Sequence, residues 1–242
     1  MRRVRLRTLL GLNRTGLAAL GLLSLPAAAY AAPSLAPWGW HGEVGGFEVY
    51  ADAPPTPALA SDLQRAERLL AASPIDDPRA RPTLYLTDGG WRWAFYAARS
   101  GGFAVTRALI ATSIFNRSDV ASDRIYTADG RQRRLSGVVA HETVHLLQRR
   151  RVGLIAYVRM PAWVREGYAD HVAQESSLDD AAVDRLRAAG RSSDPAIFYR
   201  AARLRVERQL ANGESVDALL RQQDNSPADR AMRPFDMTHR QI

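Results

Sequence analysis

Hydrophobic and polar positions change their period partway along the chain. Up to about residue 130 the apolar positions come in short runs broken by Pro, Gly and Asp. Phe47-Glu48-Val49-Tyr50 alternates, as a half-buried strand does, and Pro54, Pro55 and Pro57 close it. Leu59, Leu63, Leu69 and Leu70 then fall near one face of a helix over 59–71. Thr83-Leu84-Tyr85-Leu86-Thr87 reads as a second strand, stopped by Asp88-Gly89-Gly90, with a helix over 91–99 after it. Extended chain follows from Gly101 towards Ile114, and Arg124-Ile125-Tyr126-Thr127 suggests a short strand turned by Ala128-Asp129-Gly130. From Ser136 the period is helical, over 136–150, 163–175, 179–189, 196–211 and 214–222, with Gly190 and Gly213 as stops. Residues 32–46 read as an irregular lead-in and 224–242 as a loose tail. Strands first and helices later predict an α+β fold, a small mixed sheet followed by a helical half.

One of these helices carries chemistry. Val138-Val139-Ala140-His141-Glu142-Thr143-Val144-His145-Leu146-Leu147 holds H-E-x-x-H within an uncharged run, in a chain with five histidines. Four residues apart on a helix, His141 and His145 leave from one face, a spacing that suits two nitrogen ligands on one zinc ion. Glu142 lies beside them, close enough to act as general base on a water held by the metal. Two packed core histidines are the plain alternative, but two buried imidazoles and a carboxylate on an apolar helix all need partners.

A second helix supplies more donors. Pro161 suits a helix start, and Glu166 and Asp170, four apart, share a face. A catalytic zinc takes three protein ligands and keeps one position open, and Glu166 can be the third. Asp170 can accept a hydrogen bond from a ligand histidine and fix its tautomer. Gly167 would let this helix approach the motif helix closely.

His141-Glu142-x-x-His145 followed by Glu166-x-x-Ala169-Asp170 resembles the gluzincin zinc metallopeptidases, the broad thermolysin-like group, and its small bacterial exported members in particular. The specific likeness covers residues 138–170. It implies a zincin-like fold, one Zn2+ held by His141, His145 and Glu166, and Glu142 as catalytic base. It also implies a peptide or protein substrate, laid as an added strand along a sheet edge. Gly102, Phe103 and Ala104 are the candidate edge. A further Tyr or His would stabilise the tetrahedral intermediate, and the candidates are Tyr157, Tyr199, His171 and His239.

Composition narrows the setting. Residues 1–31 have a basic start, Arg2, Arg3, Arg5 and Arg7, an apolar run from Leu17 to Leu25, and Ala29-Tyr30-Ala31 at a small-x-small cleavage position. This reads as a secretory signal peptide of an exported, periplasmic or secreted protein, with an uncleaved membrane anchor as the alternative. The domain then spans 32–223. The formal charge is +8, but removing the five arginines of residues 1–31 leaves 28 basic against 25 acidic residues, or +3. That excludes an electrostatic argument for nucleic acid. The clusters Arg131, Arg133, Arg134 and Arg149, Arg150, Arg151 read as solvated helix ends. Cysteine is absent, which excludes disulfides, thiol catalysis and thiolate ligands. The expected function is zinc-dependent peptide hydrolysis. The alternative functions are a zinc-bound envelope protein that binds peptides or a partner without cleaving, and an accessory protein with a structural zinc.

Overall fold

A computed structural model describes residues 28–98, 100–175 and 178–223. Residues 1–27, which hold most of the expected signal segment, and residues 224–242, with His239 among them, lie outside the described residues. A short N-terminal unit ends at Trp38, whose indole Nε1 donates to Pro33 O at 2.9 Å. The second unit runs from Gly39 and contains everything below.

This unit is α+β, built on a five-stranded mixed sheet of order β1-β2-β3-β5-β4. The lead-in expected to be irregular contains the first strand. β1 (Trp40–Val44) pairs antiparallel with β2 (Phe47–Ala51) through Gly45-Gly46. Both glycines have positive φ, 58° and 82°, which a two-residue hairpin turn needs and other residues resist. α1 (Ala58–Ala71) carries the chain to β3 (Thr83–Leu86), parallel to β2. α2 (Trp91–Tyr96) is shorter than expected.

The extended stretch expected from Gly101 towards Ile114 is in fact two strands. β4 (Ala104–Arg107) ends in a 3₁₀ turn at Ala108–Ile110, Ala111 turns with φ 49°, and β5 (Thr112–Phe115) returns antiparallel. β5 inserts beside β3, so β4 becomes an edge. Alternation assigns the two faces. Phe47, Val49, Leu84, Leu86 and Phe115 join α1 in the main core, while Tyr50 and Tyr85 stack on the opposite face at 4.9 Å.

A second sheet, β6 (Arg117–Asp119), β7 (Arg124–Tyr126) and β8 (Gln132–Arg133), leads directly into α3 (Leu135–Val152). α3 is buried on every side from Leu135 to Gln148, packed against α1, β4 and α5 (Ala162–Ala173). Its N-terminus has no capping side chain of its own. Asp123 caps it from the preceding loop instead, accepting from Ser136 N at 2.7 Å and Ser136 Oγ at 2.8 Å. α4 (Leu154–Arg159) links α3 to α5, and α6 (Asp180–Ala188), α7 (Pro195–Ala211) and α8 (Val216–Leu220) complete the helical half.

Gly167 does serve a close approach, but to α7 rather than to the motif helix. A Cβ there would stand 2.5 Å from Ala202 O. Among the described residues no helix is long and apolar enough to cross a membrane.

Candidate metal centre

α3 and α5 bring His141, His145 and Glu166 together, all buried. The Nε2 atoms of the two histidines are 3.2 Å apart, and Glu166 Oε2 is 3.4 Å from each. A tetrahedral ion with bonds of about 2.0–2.1 Å separates its ligands by about 3.3–3.4 Å, so the triangle has the right size. The helical four-residue spacing sets the histidine pair, and the packing of α5 on α3 sets the carboxylate.

The outer ring nitrogens fix what the inner ones can do. His141 Nδ1 lies 2.8 Å from Asp170 Oδ1. A carboxylate can only accept, so Nδ1–H donates and Nε2 is the ring nitrogen left to face the centre. Gln148 does the same for His145. Its Nε2 donates to the Arg165 carbonyl at 3.0 Å, which orients the amide so that Oε1 faces His145 Nδ1 at 3.4 Å. Three acceptors therefore point at one another, an arrangement that calls for a cation between them.

The same charges that would attract a cation also favour a proton on His141. Burial by itself lowers the His141 pKa, but hydrogen bonds to Asp170 and Glu166, with the charges of Asp170 and Glu142, outweigh it and raise it to about 10. Burial pushes Glu166 up, yet the neighbouring histidines and Arg165 hold it well below the usual carboxylate range. Arg165 Nε donates to Glu166 Oε1 at 3.1 Å, leaving Oε2 for the centre. Glu142 is buried on the same helix, and no hydrogen bond ties its carboxylate among the described residues.

Asp170 lies where the sequence suggested, and it is fully buried. Its charge is balanced by Arg133, whose Nη2 donates to Oδ1 at 3.0 Å. Burial raises the Asp170 pKa, and Arg133 and His141 together bring it below its ordinary value. The expectation of solvated arginines therefore fails for Arg133, which is only 7% exposed. Next to it Arg131 pairs with Asp129 and, at the end of α3, Arg150 and Arg151 pair at the surface with Asp77 and Asp217. Sequence reasoning missed Gln148, although three residues from His145 is a helical neighbour. It also missed Arg133, hidden within a run that looks like surface.

Ala104 opens the edge strand β4, and Gly102 and Phe103 precede it; their carbonyls accept from Asn116 Nδ2 and Asn116 N. Two residues on, Thr106 Oγ1 hydrogen-bonds Ser113 Oγ at 2.7 Å and lies 3.5 Å from Glu142 O, so β4 passes alongside the motif. Of the three candidate donors among the described residues, Tyr157 and Tyr199 feel the charges of the centre. Both phenols are pushed far above their ordinary pKa, first by burial and then by the charges of Glu166 and Glu142, with Asp170 adding to Tyr199. His171 turns instead to Glu207 of α7, 3.7 Å away. Comparisons with family models, with curated proteins and with solved structures find no match.

Proposed function

We propose that this chain is a zinc-dependent metallopeptidase of gluzincin type, with a zincin-like arrangement of edge strand, motif helix and glutamate helix. The observation that carries the reading is the 3.2–3.4 Å triangle of two imidazole nitrogens and a carboxylate oxygen, with Glu142 next to it on the same helix. Two nitrogens and one oxygen form the donor set of a catalytic zinc that leaves a position open.

His141, His145 and Glu166 would hold the ion. Zinc bound there would supply a Lewis acid and bring the pKa of a water down to ~7. Glu142 takes the proton from the attacking water and passes it to the leaving amine. Asp170 and Gln148 keep the two imidazoles in the tautomer whose Nε2 faces inward. Tyr157 and Tyr199, held protonated, donate towards the oxygen on which charge develops. The substrate lies extended along the free edge of β4 from Ala104 onward, just past Gly102 and Phe103, whose carbonyls Asn116 already takes. The protein works outside the cytoplasm, as its first 31 residues suggest.

Glu142→Gln tests this. Cleavage of a peptide library, read by mass spectrometry, should fall by about 10²–10⁴ while zinc stays bound. Undiminished cleavage by Glu142→Gln would sink the mechanism. Cleavage by neither protein, with zinc bound to both, would replace it with a binding role.

A further inference from the structure

The start of the motif helix and the end of the glutamate helix meet at one point. α3 starts directly after Arg133 and Arg134, and α5 ends at Ala173 with Gln174 in the left-handed region, φ 52°. Glu175 then folds back on α3. Its carboxylate accepts from Arg134 N at 3.1 and 3.3 Å, one of the amide groups that a helix start leaves free. Gly137 leaves room for it, since a Cβ there would collide with Glu175 Oε2.

Arg133 closes the same junction from inside. Nη2 donates both to Asp170 Oδ1 at 3.0 Å and to Glu175 O at 3.2 Å, and Nε lies 3.8 Å from Glu175 Oε2. An arginine and an aspartate this deeply buried are a costly way to hold a fold together, because apolar residues of similar volume often do so better. The pair is better explained by what Asp170 holds, the ring of His141.

We propose that Arg133 and Glu175 form a clamp that sets the metal affinity of the centre. Arg133 is a positioning residue that acts through Asp170 on His141, and Glu175 fixes the two ligand-bearing helices at their common end. The proposal rests on the zinc reading of the triad and adds residues that touch neither metal nor substrate. The guanidinium meets Asp170 and the Glu175 carbonyl through Nη2 and faces the Glu175 carboxylate with Nε at 3.8 Å, a spread that one ammonium on a lysine stem covers less well.

Zinc affinity of the full-length chain, measured by competition with a chromophoric chelator, tests it, with the melting temperature of the metal-free protein recorded alongside. Arg133→Met should weaken zinc binding by roughly 10–100-fold, as loss of a ligand's outer partner does. Arg133→Lys should recover part of that loss. In an Asp170→Asn background, Arg133→Met should change affinity by less than about two-fold, because both act on the same ring. Arg133→Lys keeps the positive charge beside Asp170, so its smaller loss against the parent answers the question even where Arg133→Met fails to fold. Glu175→Gln should weaken zinc binding as well. Unchanged zinc affinity in Arg133→Met with only a lower melting temperature would overturn the proposal, as would additive losses in the double variant. A parent chain that binds no zinc would instead remove the metal reading itself.

Discussion

His141 and His145 lie one turn apart on the same helix, yet the molecule on either side of them is built differently. Around His141 the support is charged and closed, with Asp170 fully buried, Arg133 nearly so, and Glu175 and Asp123 capping the helix start. Around His145 the partner of the outer ring nitrogen is neutral and the nearby surface more open. Gln148 takes the place of a carboxylate, Tyr157 comes from the short α4, and Leu154, Ile155 and Val158 beside it are exposed. On the proposed reading, charge on one side would hold the metal-binding groups in place, and the neutral partner on the other would leave donors free to meet charge as it develops. The two kinds of support lie one turn apart on one helix.

The largest effect expected from breaking this division is on the neutral side. Replacing Tyr157 and Tyr199 together by Phe should lower kcat by about 10²–10³, the usual loss when oxyanion donors go, with zinc affinity unchanged. Steady-state kinetics with a cleaved peptide would show it, and the single variants would apportion the loss. A double variant that turns over like the parent would remove both tyrosines from the chemistry.

A direct comparison of the two supports comes next. Asp170→Asn should weaken zinc binding by roughly 10–100-fold, and Gln148→Ala by clearly less, since a neutral 3.4 Å contact adds little basicity to the ring. Chelator competition on both variants would measure it. Equal losses would mean that the charged and neutral sides do the same work.

The smallest effect concerns stability behind the charged side. Asp62 of α1 is pushed up to about 6, first by burial and then by the neighbouring Asp123 charge. An acid whose pKa is raised on folding favours the folded state while protonated. Stability is therefore lost as pH rises from about 4 to about 6, and the penalty persists above that. Asp62→Asn should stabilise the protein by about 1–2 kcal/mol at pH 8 and by almost nothing at pH 4. Denaturant unfolding at the two pH values would test it, and a gain independent of pH would point to packing instead.

Much of this was legible beforehand. The periodicity over residues 59–71 gave α1, because one stripe of that helix is apolar, while the uncharged run around His141 gave α3, whose burial on every side leaves no period to read. β1 was missed because Trp40-His41-Gly42-Glu43-Val44 carries little apolar signal, and its partner β2 and the Gly45-Gly46 turn decide it. The break between β4 and β5 was missed because apolar residues continue through Leu109 and Ile110, which the structure exposes.

At the centre, local spacing accounts for everything that one helix can arrange alone. Four-residue spacing put His141 with His145 and Glu166 with Asp170, since side chains one turn apart share a face whatever surrounds them. How the two helices meet came from packing. It chose Glu166 Oε2 as the atom facing the histidines, brought Gly167 against α7, and buried Arg133 behind Asp170 while its neighbours in the chain stayed at the surface. Those contacts join residues far apart along the chain. They depend on helix packing and on the balance of buried charge, and no local pattern records either.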